Sequence, residues 1–143
     1  METPFQVMAK QINKRPDWVI GDFGCGEALL SKSVRNKMYS FDHVAVNPSV
    51  MACDMSNTGL NPEVLDVAVF SLSLMGVNWA DYLKEAYRIL RSGGLLKIAE
   101  PASSWSDDSF IALKKGIESA GFEILGDGKL SSKFIYFDAV KPL

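Results

Sequence analysis

The sequence predicts an α/β domain built on a doubly wound, mostly parallel sheet, and three observations lead there. Short apolar runs alternate with segments of helical apolar spacing along most of the chain. Acidic or small polar residues stand at the end of one run after another. The last two runs have no helix between them, so one strand near the carboxyl terminus must run antiparallel to the others. At 143 residues the chain is long enough for one core, and 48% hydrophobic with 22% charged residues is an ordinary globular composition.

Residues 1–17 read as a helical lead-in. Pro4 opens it, Phe5, Val7, Met8 and Ile12 recur at loosely helical spacing, and Asn13-Lys14-Arg15-Pro16 stops it. The main domain is expected over 18–143. Its first strand is Trp18–Phe23, followed by the turn Gly24-Cys25-Gly26 and a helix from Glu27 to about Val34. Met38–Phe41 is a second strand ending at Asp42, and Val50–Cys53 a short third strand ending at Asp54-Met55. Leu65–Phe70 is apolar almost throughout, as expected of a central strand buried on both faces. Asn78 is placed to cap a helix over Trp79–Leu90, where Tyr82, Leu83, Ala86, Ile89 and Leu90 recur at three and four. Arg91-Ser92-Gly93-Gly94 reads as its stop, and Leu95–Ala99 as a fifth strand ending at Glu100-Pro101. Ser106 or Asp107 caps a further helix closed by Gly121, and Phe122–Leu125 and Phe134–Val140 are strands around a Gly126-Asp127-Gly128 turn.

Composition excludes several classes. No apolar run reaches the roughly 18–20 residues of a membrane span, and no signal peptide opens the sequence. A net charge of −2 gives no global basic field, and a local basic patch, which such totals do not reveal, stays open. Two cysteines, Cys25 and Cys53, suit a reducing compartment, and with His43 as the sole histidine no zinc site is expected. His43 itself reads as a solvated loop imidazole.

The segment Trp18–Glu27 carries the chemistry. A strand, a glycine turn and a helix start bring backbone N–H groups close to a ligand. A dinucleotide fingerprint would place a third glycine where Leu29 stands, and the Asp22 carboxylate would repel a pyrophosphate. A cationic ligand bearing an amino group and a sulfonium suits Asp22 better. Asp42 lies twenty positions further on, where an acid at a second strand end reaches ribose hydroxyls. Asp22, Asp42, Asp54, Ser71 and Glu100 all converge at predicted carboxyl ends of strands, where doubly wound sheets bind their ligands.

The blocks DFGCGEALL, FDH, CDM, DVAVFSLSLMG, RILRSGGLLKIAE and SSKFIYFDAV closely resemble the nucleomethylin-like ribosomal-RNA-processing methyltransferases, of the seven-stranded Rossmann-like class dependent on S-adenosylmethionine. The similarity runs from Trp18 to Val140. The resemblance implies S-adenosyl-L-methionine as cofactor and no metal. It also implies a cofactor site of Asp22, Gly24, Cys25, Gly26, Asp42, Asp54, Met55 and Ser71. Asp22 would stand near the methionine amino group, Asp42 at the ribose, Asp54 and Met55 at the adenine, and Ser71 at the methionine end. The implied substrate is an adenine N1 of large-subunit ribosomal RNA. Chromatin-silencing proteins are implied as partners, and the nucleolus as location in a eukaryote, the cytoplasm otherwise. Relatives carry an upstream helical segment with a histidine over the cofactor; no histidine precedes the glycine turn here, and Asn47 replaces an acid.

No catalytic triad is visible, and none is needed, since adenine N1 already offers a lone pair. Met75, Asn78, Trp79, Glu100, Ser104 and Trp105 are the substrate-side candidates, although the two tryptophans read more readily as helix-start packing than as base-stacking rings. Core filler is the alternative role of Met55. A second class stays open, a module that binds S-adenosylmethionine or S-adenosylhomocysteine without catalysis. An oxidoreductase is disfavoured by Leu29 and Asp22.

Overall fold

The computed structural model describes residues 4–24, 30, 34–42, 48, 50–52, 54–71, 74 and 79–143. Along the chain run α1 (Pro4–Asn13), β1 (Ile20–Phe23), β2 (Met38–Asp42), β3 (Met51–Ala52), β4 (Leu65–Ser71), α2 (Trp79–Ile89), β5 (Leu90–Pro101), a short 3-10 turn (Ala102–Ser104), α3 (Asp107–Ser119), β6 (Glu123–Lys129) and β7 (Phe134–Val140). The strands form one sheet in the order β3-β2-β1-β4-β5-β7-β6. Six strands are four residues or longer, and β3 is a two-residue edge. Only β7 runs against the others, inserted between β5 and β6. The expected doubly wound sheet with one antiparallel strand near its end is therefore present.

Two apolar layers hold the sheet. On one face α1 buries Met8, Ala9 and Ile12, spaced one and four apart, against Ile20, Val67 and Val69. Leu30, helical and 2% exposed, joins that layer; 27–29 and 31–33 of the expected helix lie outside the described residues, and Val34, its expected end, is not helical. On the other face α2 contributes Leu83, Ala86 and Ile89 and α3 contributes Leu113 and Ile117. Ser106 caps α3 as expected, its Oγ accepting from the Ser109 N–H at 3.2 Å, with Asp107 and Asp108 favourably placed in the first turn. Lys141 closes α2 from a distance. Its Nζ donates to the carbonyls of Tyr87 and Leu90, each at 2.8 Å, and lies 4.6 Å from the Tyr87 ring centre.

Two boundaries differ from expectation. Arg91–Gly94 does not separate α2 from β5; the strand starts at Leu90, directly after the helix. Leu65 pairs with Leu90 but Val67 with Leu95, so the extra residues bulge outward. Their backbone is satisfied from the far side, Gly93 donating to Lys141 at 2.7 Å and Lys141 to Gly94 at 2.9 Å. Gly126-Asp127-Gly128 is likewise no turn: it lies inside β6, paired with Tyr136, Phe137 and Asp138. The Tyr136 ring covers both glycines, within 3.6–3.8 Å of where a Cβ would stand, which offsets the missing side chains of an edge strand. The chain reverses at Leu130–Phe134 instead, where Lys133 N–H bonds to Ser131 Oγ at 3.2 Å.

Gly116, inside α3, is a notch for Trp79. A Cβ there would come within 2.3 Å of Trp79 Cζ3. An exposed helical glycine gains about 1 kcal/mol on conversion to alanine. Gly116→Ala is expected to do the opposite, losing about 1–3 kcal/mol as the indole is forced out of its rotamer. Urea denaturation measures this; a stabilised variant would show that the ring yields freely.

Candidate functional site at the carboxyl edge of the sheet

Strand register assembles the site. Asp22 faces Ser40 on β2 and Val69 on β4, and Phe23 faces Phe41 and Phe70. One residue further, Gly24, Asp42 and Ser71 stand side by side. Asp42 pairs with Ala52 and Ser71 with Ala99, so Asp54 follows two residues beyond and Glu100 one residue beyond. The five strand-end positions read from the sequence thus share one edge.

A tier of aromatic rings stiffens that edge from beneath. Phe23 stacks on Phe70 at 4.7 Å between centroids and tilts against Phe41 at 5.2 Å, all three fully buried. Such ring pairs add roughly 1 kcal/mol each beyond the area they bury. The residue after each ring, Gly24, Asp42 or Ser71, therefore leaves the sheet from a fixed point.

Gly24 has φ +71°, a left-handed conformation that glycine adopts without strain, and its N–H donates to Phe41 O at 2.8 Å. This extends the β1–β2 ladder to the point where the chain turns away. Asp22 is 4% exposed, and no cationic side chain pairs with it among the described residues. Burial, reinforced by the neighbouring Asp42 carboxylate, pushes its pKa up to about 7. A carboxyl group held this way favours an incoming cation strongly, because the cation would remove both penalties at once.

On the β3 side Asp54 turns its own loop, its Oδ1 accepting from Ser56 N–H at 2.9 Å and Ser56 Oγ at 2.6 Å. Met55 is 3% exposed and lies in the main core cluster. The loop is then anchored by a residue that strand ends do not point to. Glu85 of α2, 5% exposed, accepts from Thr58 N–H at 2.8 Å and Thr58 Oγ1 at 2.7 Å, and from Arg88 Nε and Nη2 at 2.7 and 2.8 Å. Burial alone would raise its pKa, but the Arg88 and Thr58 donors outweigh that and lower it. A signal for it exists in the sequence: Glu85 is a carboxylate on the apolar stripe of Tyr82, Ala86 and Ile89, with a cation three residues on.

At the other end of the edge Glu100 is fully buried, and its Oε1 accepts from Leu74 N–H at 2.7 Å. This bond ties the chain beyond β4 to the end of β5. Trp79 and Trp105 meet edge to face at 6.5 Å, both packed on the main core, with Trp105 Nε1 buried and without a partner among the described residues. Ser104 is exposed. Cys25, Gly26, Met75 and Asn78, together with His43, Asn47 and Cys53, lie outside the described residues. Among the described residues no group of three His, Cys, Asp or Glu stands close enough to hold a metal ion, and no helix is long and apolar enough to cross a membrane.

The sheet order, with acids ending β1 and β2, is that of the methyltransferase-type α/β fold. A Burkholderia thailandensis 1,6-didemethyltoxoflavin-N1-methyltransferase, solved with S-adenosylhomocysteine, superposes with a TM-score of 0.77 over 99% of this chain and 80% of its own, at 14% identity. A family model described as "hypothetical methyltransferase" matches residues 1–142, and the chain belongs to that family. Ribosomal RNA-processing protein 8 of Arabidopsis thaliana is 57% identical over 91 residues, covering 64% of this chain and 32% of that protein. The 25S rRNA (adenine(645)-N(1))-methyltransferase of Schizosaccharomyces pombe is 44% identical over 132 residues, 90% of this chain and 42% of that protein. The chain thus spans about a third to two fifths of the length of these relatives.

Proposed function

We propose that this chain is the catalytic domain of an S-adenosylmethionine-dependent methyltransferase acting on N1 of an adenine in large-subunit ribosomal RNA. One observation carries the cofactor half of this reading: Asp22, buried and without a cationic partner among the described residues, stands beside the Gly24 turn and next to Asp42. That arrangement suits an amino acid–nucleoside cation and opposes a pyrophosphate. The RNA half is supported by the names and identities of the relatives, and a nucleolar location in a eukaryote is proposed along with it.

The cofactor, when bound, supplies a methyl group activated on a sulfonium. The chain's own part is binding and alignment. Asp22 takes the amino group, Asp42 the ribose hydroxyls, and Asp54 with Met55 the adenine end. Gly24, with Cys25 and Gly26 after it in sequence, is assigned to the cofactor's close approach, and Ser71 to the methionine end. Met75, Asn78, Glu100 and Trp105 are proposed for the substrate side, where a base must be unstacked from its RNA and held against the methyl donor. Adenine N1 brings its own electron pair, so no general base is required; orientation and exclusion of water provide the acceleration.

Titration calorimetry with S-adenosylhomocysteine tests the pocket. Binding is expected for the wild type, at least about tenfold weaker for Asp42→Ala, with no heat from NAD. Equal affinity of the variant would remove Asp42 from the site. Transfer of labelled methyl from S-adenosylmethionine to an adenine of ribosomal RNA tests the reaction.

A further inference from the structure

The end of the sheet opposite the site carries a feature hidden by the net charge of −2. Four exposed cations converge there from two segments: Lys14 and Arg15 after α1, and Arg35 and Lys37 before β2. The segments are locked together. Asn36 Nδ2 donates to Arg15 O at 2.7 Å and to Trp18 O at 2.9 Å, Arg35 N–H to Asn13 Oδ1 at 3.4 Å, and Ile20 N–H to Lys37 O at 3.0 Å.

None of the four cations has a carboxylate partner among the described residues. Two are held on flat side chains instead. The Arg15 guanidinium lies 5.2 Å from the Trp18 ring centre, and Lys37 Nζ 5.3 Å from that of Tyr39. A helix C-terminus would account for Lys14 and Arg15 alone. It does not account for Arg35 and Lys37, which a separate segment brings to the same place. Four exposed lysines and arginines without a carboxylate partner among the described residues, two of them held on rings, match a row of phosphates.

We propose that this face binds the phosphate backbone of RNA, anchoring the substrate at the amino ends of β1 and β2. The inference rests on the reading of the chain as an RNA methyltransferase. The span fits, since Trp18 to Gly24 is seven residues, six steps or about 20 Å of extended chain. A folded RNA gripped at one end can therefore present an unpaired base at the other. The anchor gives affinity without sequence preference, and the pocket chooses the base.

The test compares wild type with the Lys14→Gln, Arg15→Gln, Arg35→Gln, Lys37→Gln quadruple variant on a large-subunit ribosomal RNA stem-loop, by fluorescence anisotropy across salt concentrations. Circular dichroism checks the fold. The variant is expected to bind RNA at least about tenfold more weakly. Its slope of log affinity against log salt should be shallower by about 3, close to one counterion per lost contact. S-adenosylhomocysteine affinity should be unchanged. An unaltered RNA affinity and slope overturn the proposal, including the case where the variant loses binding to polyglutamate and the face serves an acidic protein. Failure of the wild type to bind S-adenosylhomocysteine would sink the methyltransferase reading and leave the RNA measurement to judge this face separately.

Discussion

Replacing Asp22 with asparagine is expected to stabilise the unliganded domain by about 4 kcal/mol at pH 8 while removing its affinity for S-adenosylhomocysteine. The sign follows from where the proton sits. The folded-state pKa of about 7 lies above the ordinary 3.8, so the folded state holds the proton more tightly than the unfolded chain. The stabilising contribution is complete below pH 3.8 and is lost as pH rises to about 7; above that, each folded molecule carries a buried charge. The substituted amide cannot ionise and escapes the loss. Chemical denaturation from pH 4 to 8 should therefore show wild-type stability falling away from that of the variant. Parallel curves would mean that Asp22 is solvated. The cofactor's ammonium should reverse the penalty, so binding at pH 6 is expected to release a proton. Calorimetry in buffers of different ionisation enthalpy reads that release directly.

The second large effect is expected at Glu85. Glu85→Ala takes four hydrogen bonds away and leaves the Thr58 N–H buried without an acceptor. Bonds to charged groups contribute about 1.5–3 kcal/mol each without adding fully, so a loss of about 3 kcal/mol is expected. For a domain of this size that lowers the melting temperature by about 10 °C. The pH dependence is opposite to that of Asp22. Glu85 has its pKa lowered, so its contribution is present above the ordinary 4.5 and disappears as pH falls through the lower native value. Glu85 also holds the loop that begins at Asp54. The variant should bind S-adenosylhomocysteine more weakly even at temperatures where it is fully folded, and unchanged affinity would separate loop anchoring from the site.

Strand ends were legible in the sequence because they obey a local rule. An apolar run stops at an acid or serine, and the parallel topology carries all such stops to one edge. Asp22, Asp42, Asp54, Ser71 and Glu100 needed nothing more to be found together. The misread segments are those where glycine served as punctuation. Gly93-Gly94 and Gly126–Gly128 break local pattern, yet both lie in strands because partners distant in sequence, Lys141 and Tyr136, complete them. Glu85 was hidden for a related reason. Its partner Thr58 is twenty-seven residues away, and a carboxylate on an apolar stripe has meaning only once that partner is in place. The basic face escaped notice because a chain-wide charge sum averages over its two contributing segments.

The insertion of β7 between β5 and β6 constrains how the molecule is made. During synthesis β6 emerges before the strand that joins it to the sheet. Until Phe134–Val140 is available, β6 has no hydrogen-bonded neighbour, and β5 presents a bare edge running from Leu95 to Pro101. Closure of α2 waits as well, because Lys141 follows β7. In sequence order β1 to β4 are complete before β5 begins, whereas β5 and β6 are joined only through β7, which comes last. A chain truncated before residue 134 is therefore expected to expose the edge of β5 and to aggregate more readily than the whole domain.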